Sequence, residues 1–142
     1  MYASARNRFE GTISAVTTGP VNTEVVLDLP GGDTLVAVVT TSSAHLLGLA
    51  PGRRAVGLVK AQAVTLVTEA CRYRFTAGNQ FLGEVTRIIP GAVNSDVDLR
   101  LRGGHAIRAV VTNDAVVELQ LKPGKYATAL VNAGQVILGV AA

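Results

Sequence analysis

With 142 residues, 49% of them hydrophobic and only 16% charged, the chain carries enough apolar material to fold and is too apolar to remain disordered. Its longest apolar stretches, such as Leu35 to Val39, fall far short of the roughly 20 residues that cross a bilayer as a helix, so no membrane span is expected. A net charge of +3 and a pI of about 9.4 favour anionic partners, but three Phe, three Tyr and no Trp leave little for the stacking platforms of single-stranded nucleic acid binders.

The first residues, Met1 to Asn7, show neither an apolar signal core nor a cleavage pattern, which predicts a cytoplasmic chain that starts here. Arg8 to Thr17 alternates, with Phe9, Gly11, Ile13 and Ala15 on one face, and predicts a half-buried strand that Thr18-Gly19-Pro20 breaks. Val21 to Leu29 repeats the pattern through Val25, Leu27 and Leu29. Gly31-Gly32 then reads as a hairpin turn into a third strand, Thr34 to Thr40, rather than as a phosphate cradle. Ser42 or Ser43 is placed to cap a short helix carrying Ala44, Leu46 and Leu47, which ends at Gly48 or at the Pro51-Gly52 turn. Ala55 to Lys60 and Val64 to Val67 complete a β-β-β-α-β-β order. That order suits a five-stranded barrel of the OB type with its helix plugging one end.

The whole pattern then recurs. Ser4 to Val67 aligns without a gap on Thr76 to Gly139 at a constant offset of 72, and 26 of the 64 paired residues are identical. Ala5-x-Asn7-x-Phe9-x-Gly11 returns as Ala77-x-Asn79-x-Phe81-x-Gly83, and Val21-Asn22 as Val93-Asn94. The predicted fold is therefore mainly β, two tandem OB-type five-stranded barrels with one short helix each. The domains are expected at 1–68 and 76–142, joined by a linker at 69–75. Units this small are marginal alone, so they should pack on each other or on other chains. Cys71, the only cysteine, has no partner for an internal disulfide and reads as a linker or packing residue.

No catalytic set emerges, and the chain is read as a binding protein rather than an enzyme. His45 and His105 occupy unrelated places in the two repeats, where their counterparts are Val117 and Asp33, so both are read as solvated or packing residues. Cys-x-x-Cys, His-x-x-x-His, Gly-x-Gly-x-x-Gly and Walker lysine motifs are all missing. What stands out is a set of anion donors in Ser4-Ala5-Arg6-Asn7, Thr40-Thr41-Ser42-Ser43 and Lys60-Ala61. A tetrahedral dianion tolerates desolvation only when charge-assisted hydrogen bonds surround it. Hydroxyls and main-chain N–H groups supply direction, Arg6 and Lys60 supply charge, and a helix start adds partial positive charge. An OB-type nucleic-acid binder is the alternative, though the basic and aromatic features it needs are thin. A regulatory or transport module is a further possibility, but no helix-turn-helix pattern or Walker lysine precedes the repeats.

Ser4-Ala5-Arg6-Asn7, Phe9-x-Gly11, Gly19-x-Val21-Asn22-x-Glu24-Val25, Val39-Thr40 and Val59-Lys60-Ala61 together strongly resemble the molbindin (Mop domain) family, and two such units in one chain resemble its two-domain members. The resemblance implies cytoplasmic storage and homeostasis of molybdate, with tungstate also accepted, no catalytic cofactor and no turnover. It further implies a homotrimer of two-domain chains, no nucleic acid or membrane partner, and oxyanions held at domain interfaces without direct side-chain coordination of the metal. One side of the main site would be Ser4, Arg6, Lys60 and Ala61, and the other, from a neighbouring domain, Thr40 and Ser43. Their counterparts in the second repeat are Thr76, Asn132 and Ala133, facing Thr112 and Ala115. A second kind of site near the three-fold axis would use Val21, Asn22, Val93 and Asn94. In the second repeat Arg6 is replaced by Gly78 and Lys60 by Asn132, so only sites built on the first repeat's cations are expected to remain strong.

Overall fold

The computed structural model describes residues 1–69 and 72–142, so the reading of Cys71 lies outside the described residues. In the first repeat, β1 (Asn7–Thr18), β2 (Asn22–Asp28) and β3 (Thr34–Thr40) form an antiparallel meander. Helix α1 (Thr41–Leu47), β4 (Arg54–Val59) and β5 (Thr65–Val67) follow. The second repeat supplies β6 (Asn79–Pro90), β7 (Asn94–Leu101), β8 (Ala106–Thr112), α2 (Asn113–Glu118), β9 (Tyr126–Val131) and β10 (Ile137–Gly139). No helix among the described residues is long and apolar enough to cross a membrane.

Each first strand does double duty. Asn7 to Thr12 pairs with β4, whereas Thr12 to Thr18 pairs with β2, and the register slips between Ile13 and Ala15. The same slip lies between Val85 and Arg87 of β6. An extra residue on one strand bends it and increases its twist, which curls each sheet into a half-barrel. Alternation along the strands sends Phe9, Ile13, Val25, Leu27, Leu35 and Val59 inward, all of them buried, as are Val85, Val97, Leu99, Ile107 and Val131 in the other half. These residues form one continuous core.

The fifth strands are exchanged. The sheet orders are β10-β4-β1-β2-β3 and β5-β9-β6-β7-β8, so the last strand of each repeat completes the sheet of the other. Ile137 faces Leu58 and Leu138 faces Gly57, while Thr65 faces Leu130 and Leu66 faces Ala129. The mainly β fold with two five-stranded sheets and a short helix in each is as expected from the sequence. Between the stretches 1–68 and 76–142, expected as the two domains, the strands β5 and β10 are exchanged.

Two further contacts tie the halves together. Asn7, only 3% exposed, donates through Nδ2 to the Arg108 carbonyl (2.8 Å) and accepts at Oδ1 from the Arg108 amide (2.7 Å). Asn79, also 3% exposed, does the same with Val36 at 2.8 and 2.7 Å. Each asparagine side chain thus mimics one step of a strand ladder on the free edge of the other repeat's third strand, satisfying backbone groups that would otherwise be unpaired. At the hairpins, Gly31 (φ +93°) packs directly against the backbone of Gly103, leaving no room for a Cβ. The Gly31-Gly32 pair is therefore a turn, as expected, and also an inter-repeat contact.

The helices differ from expectation in detail. The N-cap of α1 is Thr40, whose Oγ1 accepts from the Ser43 amide (3.1 Å), rather than Ser42 or Ser43. A capping side chain bonds an amide two or three residues ahead, so the last residue of β3 takes the role and the serines fall inside the first turn. Gly48 ends the helix in the left-handed conformation (φ 62°). Neither helix contributes much to the core. Helix α1 buries Ala44 alone and leaves Leu46 86% exposed, and α2 buries nothing.

Candidate functional site

The strand exchange determines what surrounds the anticipated anion donors. Lys60 follows β4 and precedes a 3₁₀ turn, Ala61–Ala63, where the Ala63 amide donates to the Lys60 carbonyl (2.9 Å). Beside it the N-terminal segment runs into β1, so that Ser4 and Lys60 line one cavity of about 370 Å³. Its other walls are Ala3, Ala5 and Leu58 from the first repeat and Gly134, Gln135 and Ile137 from the second. A counterpart of about 180 Å³ lies in the other half, lined by Thr76, Ala77, Leu130 and Asn132 together with Ala63 and Thr65 from the first repeat. Subtracting 72 from the second-repeat numbers, or adding it to the first, converts one lining into the other almost residue for residue. The two cavities are the same site built twice, and only one of them contains a cation.

The structure therefore brings Ser4 together with Lys60, and Thr76 with Asn132. Arg6 is exposed next to the buried Asn7 and outside this lining, and Ala61 is fully buried, leaving its main chain as its available donor. Neither Arg6 nor Lys60 belongs to any of the ion pairs among the described residues, which involve Arg8, Arg72, Arg87, Arg100 and Arg108. A cation with no carboxylate partner keeps its full charge for a ligand.

Thr40 and Ser43 are not brought to Ser4, Arg6 and Lys60 within the repeat. Asn7 pairs with Val59 at one end of β1, and Thr40 pairs with Asn22 beyond the other end. Those ends are separated by eleven steps of strand, on the order of 35 Å before curling. Thr40 and Ser43 are instead bonded to each other, Oγ1 to Oγ at 2.7 Å. The equivalent pair is reduced to the Ala115 amide donating to Thr112 Oγ1 at 3.1 Å. Val21 and Val93 are 72% and 71% exposed beside the exposed Asn22 and Asn94. Their carbonyls accept from Thr41 (2.8 Å) and Asn113 (2.9 Å), so these segments adjoin the helix starts and not the Lys60 cavity.

A further cavity of about 660 Å³ contains none of the anticipated ligands; Asp33, Phe81, Arg100, Arg102 and Tyr126 help to line it. It reflects a difference between the halves. In the first, His105 packs edge-on against Phe9 (6.1 Å between centroids) and its Nε2 lies 2.5 Å from the Pro30 carbonyl. In the second, Asp33 stands in its place and accepts from the Gly103 amide (3.1 Å), leaving Phe81 half-buried. His105 is a packing residue and His45 an exposed one, as read from the sequence.

Sequence reasoning missed two sets of residues. Asn7 and Asn79 were visible as repeated motif positions without a role. Gln135 gave no signal, because its place beside Lys60 arises only through the exchanged strand.

A pair of OB-like half-barrels that exchange strands, with hydroxyl, cation and amide donors gathered at a sheet margin, defines a duplicated β module suited to holding a small anion. Residues 3–66 and 76–138 each match the TOBE domain, and the chain belongs to that family, with two domains of the Mop type. The molybdate-bound crystal structure of the cytoplasmic molybdate-binding protein ModG is 51% identical and superposes with a TM-score of 0.96, over 99% of this chain and 100% of that one. The molybdenum transport protein ModE of Herbaspirillum seropedicae is 45% identical, and the molybdenum-pterin-binding protein MopA of Rhodobacter capsulatus 41% identical, each over 99% of this chain. The chain spans about half the length of these curated relatives, 52% and 53%.

Proposed function

We propose that this chain binds molybdate reversibly and without turnover, as a cytoplasmic store that buffers the oxyanion, and that it also accepts tungstate. The reading is carried by the full-length likeness to ModG, a cytoplasmic molybdate-binding protein whose molybdate-bound structure superposes on both repeats at once. The Ser4–Lys60 cavity supports it with suitable chemistry. An ammonium and a hydroxyl converge there without a competing carboxylate in the lining. Such a site holds a dianion by charge-assisted hydrogen bonds.

In this proposal Ser4, Arg6, Lys60 and the Ala61 main chain form one wall of the principal site. Thr40 and Ser43, or Thr112 and Ala115, form the opposite wall from a neighbouring copy, because no single repeat brings the walls together. A homotrimer of two-repeat chains meets that need, with Val21, Asn22, Val93 and Asn94 lining secondary sites near its axis. The Thr76, Asn132 and Ala133 half-site is the weaker one. The unit that functions is both repeats together, since 1–68 and 76–142 complete each other's sheets. The nucleic-acid reading gains nothing from the fold. The exposed tyrosines, Tyr2, Tyr73 and Tyr126, are scattered over the N-terminus, the linker and β9 rather than set in one stacking face.

The test is calorimetric titration of oxyanion-free protein with molybdate in excess sulfate, alongside elemental analysis and a sizing measurement. Saturable binding that survives sulfate is expected. No heat and no bound molybdenum would overturn the reading.

A further inference from the structure

The Lys60 cavity contains a polar group that belongs to the other repeat. The β4–β10 ladder pairs Leu58 with Ile137 and runs antiparallel. Two residues beyond that pair lie Gln135, the last residue of the 3₁₀ turn Ala133–Gln135, on one chain segment and Lys60 on the other. Both side chains are exposed, and both line the cavity that Ser4 closes. In the other half the same register sets Ala63 opposite Asn132. The loss of the cation there is thus matched by the loss of the facing amide.

We propose that Gln135 is an oxyanion ligand of the Lys60 half-site, its side-chain amide donating to an anion oxygen beside the Lys60 ammonium and the Ser4 hydroxyl. This inference rests on the reading of that cavity as the anion site. A neutral amide suits the place. It adds a directional donor without a second charge that would repel Lys60, and unlike a carboxylate it does not oppose the dianion. The half-site is then composite, complete only when β10 of the second repeat has joined the sheet of the first. Neither repeat alone carries all of its ligands.

The experiment is molybdate titration of the full chain with Gln135→Ala, Gln135→Glu, Leu82→Ala and Lys60→Ala, each checked for an unchanged thermal midpoint without ligand. Loss of one hydrogen bond to a charged group predicts about tenfold weaker binding for Gln135→Ala. Gln135→Glu should bind more weakly still, because it sets a negative charge against the anion, and Leu82→Ala, at an exposed position outside both anion cavities, should stay within about twofold of the parent. Should Gln135→Ala alter the ligand-free midpoint, Gln135→Asn takes its place; it keeps the amide, shortens its reach and is expected to bind less tightly than the parent. Parent-like affinity in both Gln135→Ala and Gln135→Glu, with Lys60→Ala clearly weakened, overturns the role of Gln135 and leaves the site reading standing. Parent-like affinity in Lys60→Ala as well overturns both.

Discussion

The two repeats share a scaffold and differ in chemistry. Asn7 and Asn79 make the same pair of bonds to the opposite edge, Thr40 and Thr112 cap both helices, and both first strands slip register at the same step. The outer faces diverge. Arg108 of the second repeat chelates Asp98 at 2.6 and 3.0 Å, with Asp96 and Arg87 within reach. The matching positions of the first repeat are Val36, Val26, Glu24 and Ala15. The anion cavities diverge likewise, as Ser4, Lys60 and Gln135 against Thr76, Asn132 and Ala63. Residues common to the halves hold the exchanged fold, so substituting them should damage both halves alike. Residues that differ carry binding or local electrostatics, and their effects should be confined to one half.

The largest expected effect breaks the shared scaffold. A Cβ on Gly31 would overlap the Gly103 carbonyl and sit at φ +93°, whereas Gly104 has a similar φ (+91°) and open space around it. Gly31→Ala should cost about 3–5 kcal/mol and Gly104→Ala about 1–2, read by chemical denaturation. Next come the asparagine clamps. Asn7→Ala strands the part-buried amide and carbonyl of Arg108 that its side chain satisfies, and Asn79→Ala does the same at Val36. Each is expected to cost about 2–4 kcal/mol, and near-equal losses would show that the clamp is symmetric even though the surface is not.

The sharpest test of the difference is in binding. Lys60→Ala removes a charge-assisted contact worth roughly 1.5–3 kcal/mol, so molybdate affinity should fall by about ten- to a hundredfold, while Asn132→Ala should change it by less than about threefold. The reciprocal variant, Asn132→Lys with Gly78→Arg, should raise the number of tight sites per chain. Equal effects of Lys60→Ala and Asn132→Ala would mean that the halves bind alike despite their linings.

Much of this contrast was legible before any coordinates. Strict alternation located the strands to within a residue or two, with β3 matching at both ends, because each strand has one buried and one outer face. The offset of 72 exposed the missing cations, since identical backbones make side-chain differences stand out. The exchange was not legible. Val64-x-Leu66 and Val136-x-Leu138 carry the same inward pattern, so either strand satisfies either sheet and periodicity cannot say which it joins. Gln135 was hidden for the same reason, because alignment sets it against Ala63 and only the exchanged ladder sets it beside Lys60. The caps shifted to Thr40 because strand and helix meet without an intervening loop.

The smallest predicted effect belongs to the ion network that only the second repeat has. The hydrogen bond from the Arg108 guanidinium holds the Asp98 carboxyl below its ordinary 3.8, outweighing the opposing effect of burial, and the same bond raises the pKa of Arg108. A carboxyl whose pKa is depressed in the folded state stabilises the fold above its unfolded value and loses that contribution as pH falls through the lowered folded value. Asp98→Asn should therefore lower stability by about 1 kcal/mol near neutral pH, since the pair is half-buried and partly screened. The gap between variant and parent should begin to narrow as the pH drops below about 4. Val26, its counterpart, has no charge to lose, so Val26→Asn should cost stability to the same extent at every pH. Thermal unfolding of both variants from pH 7 to pH 3 measures this, and a gap for Asp98→Asn that does not narrow between those limits would show that its carboxylate is not what stabilises the second repeat.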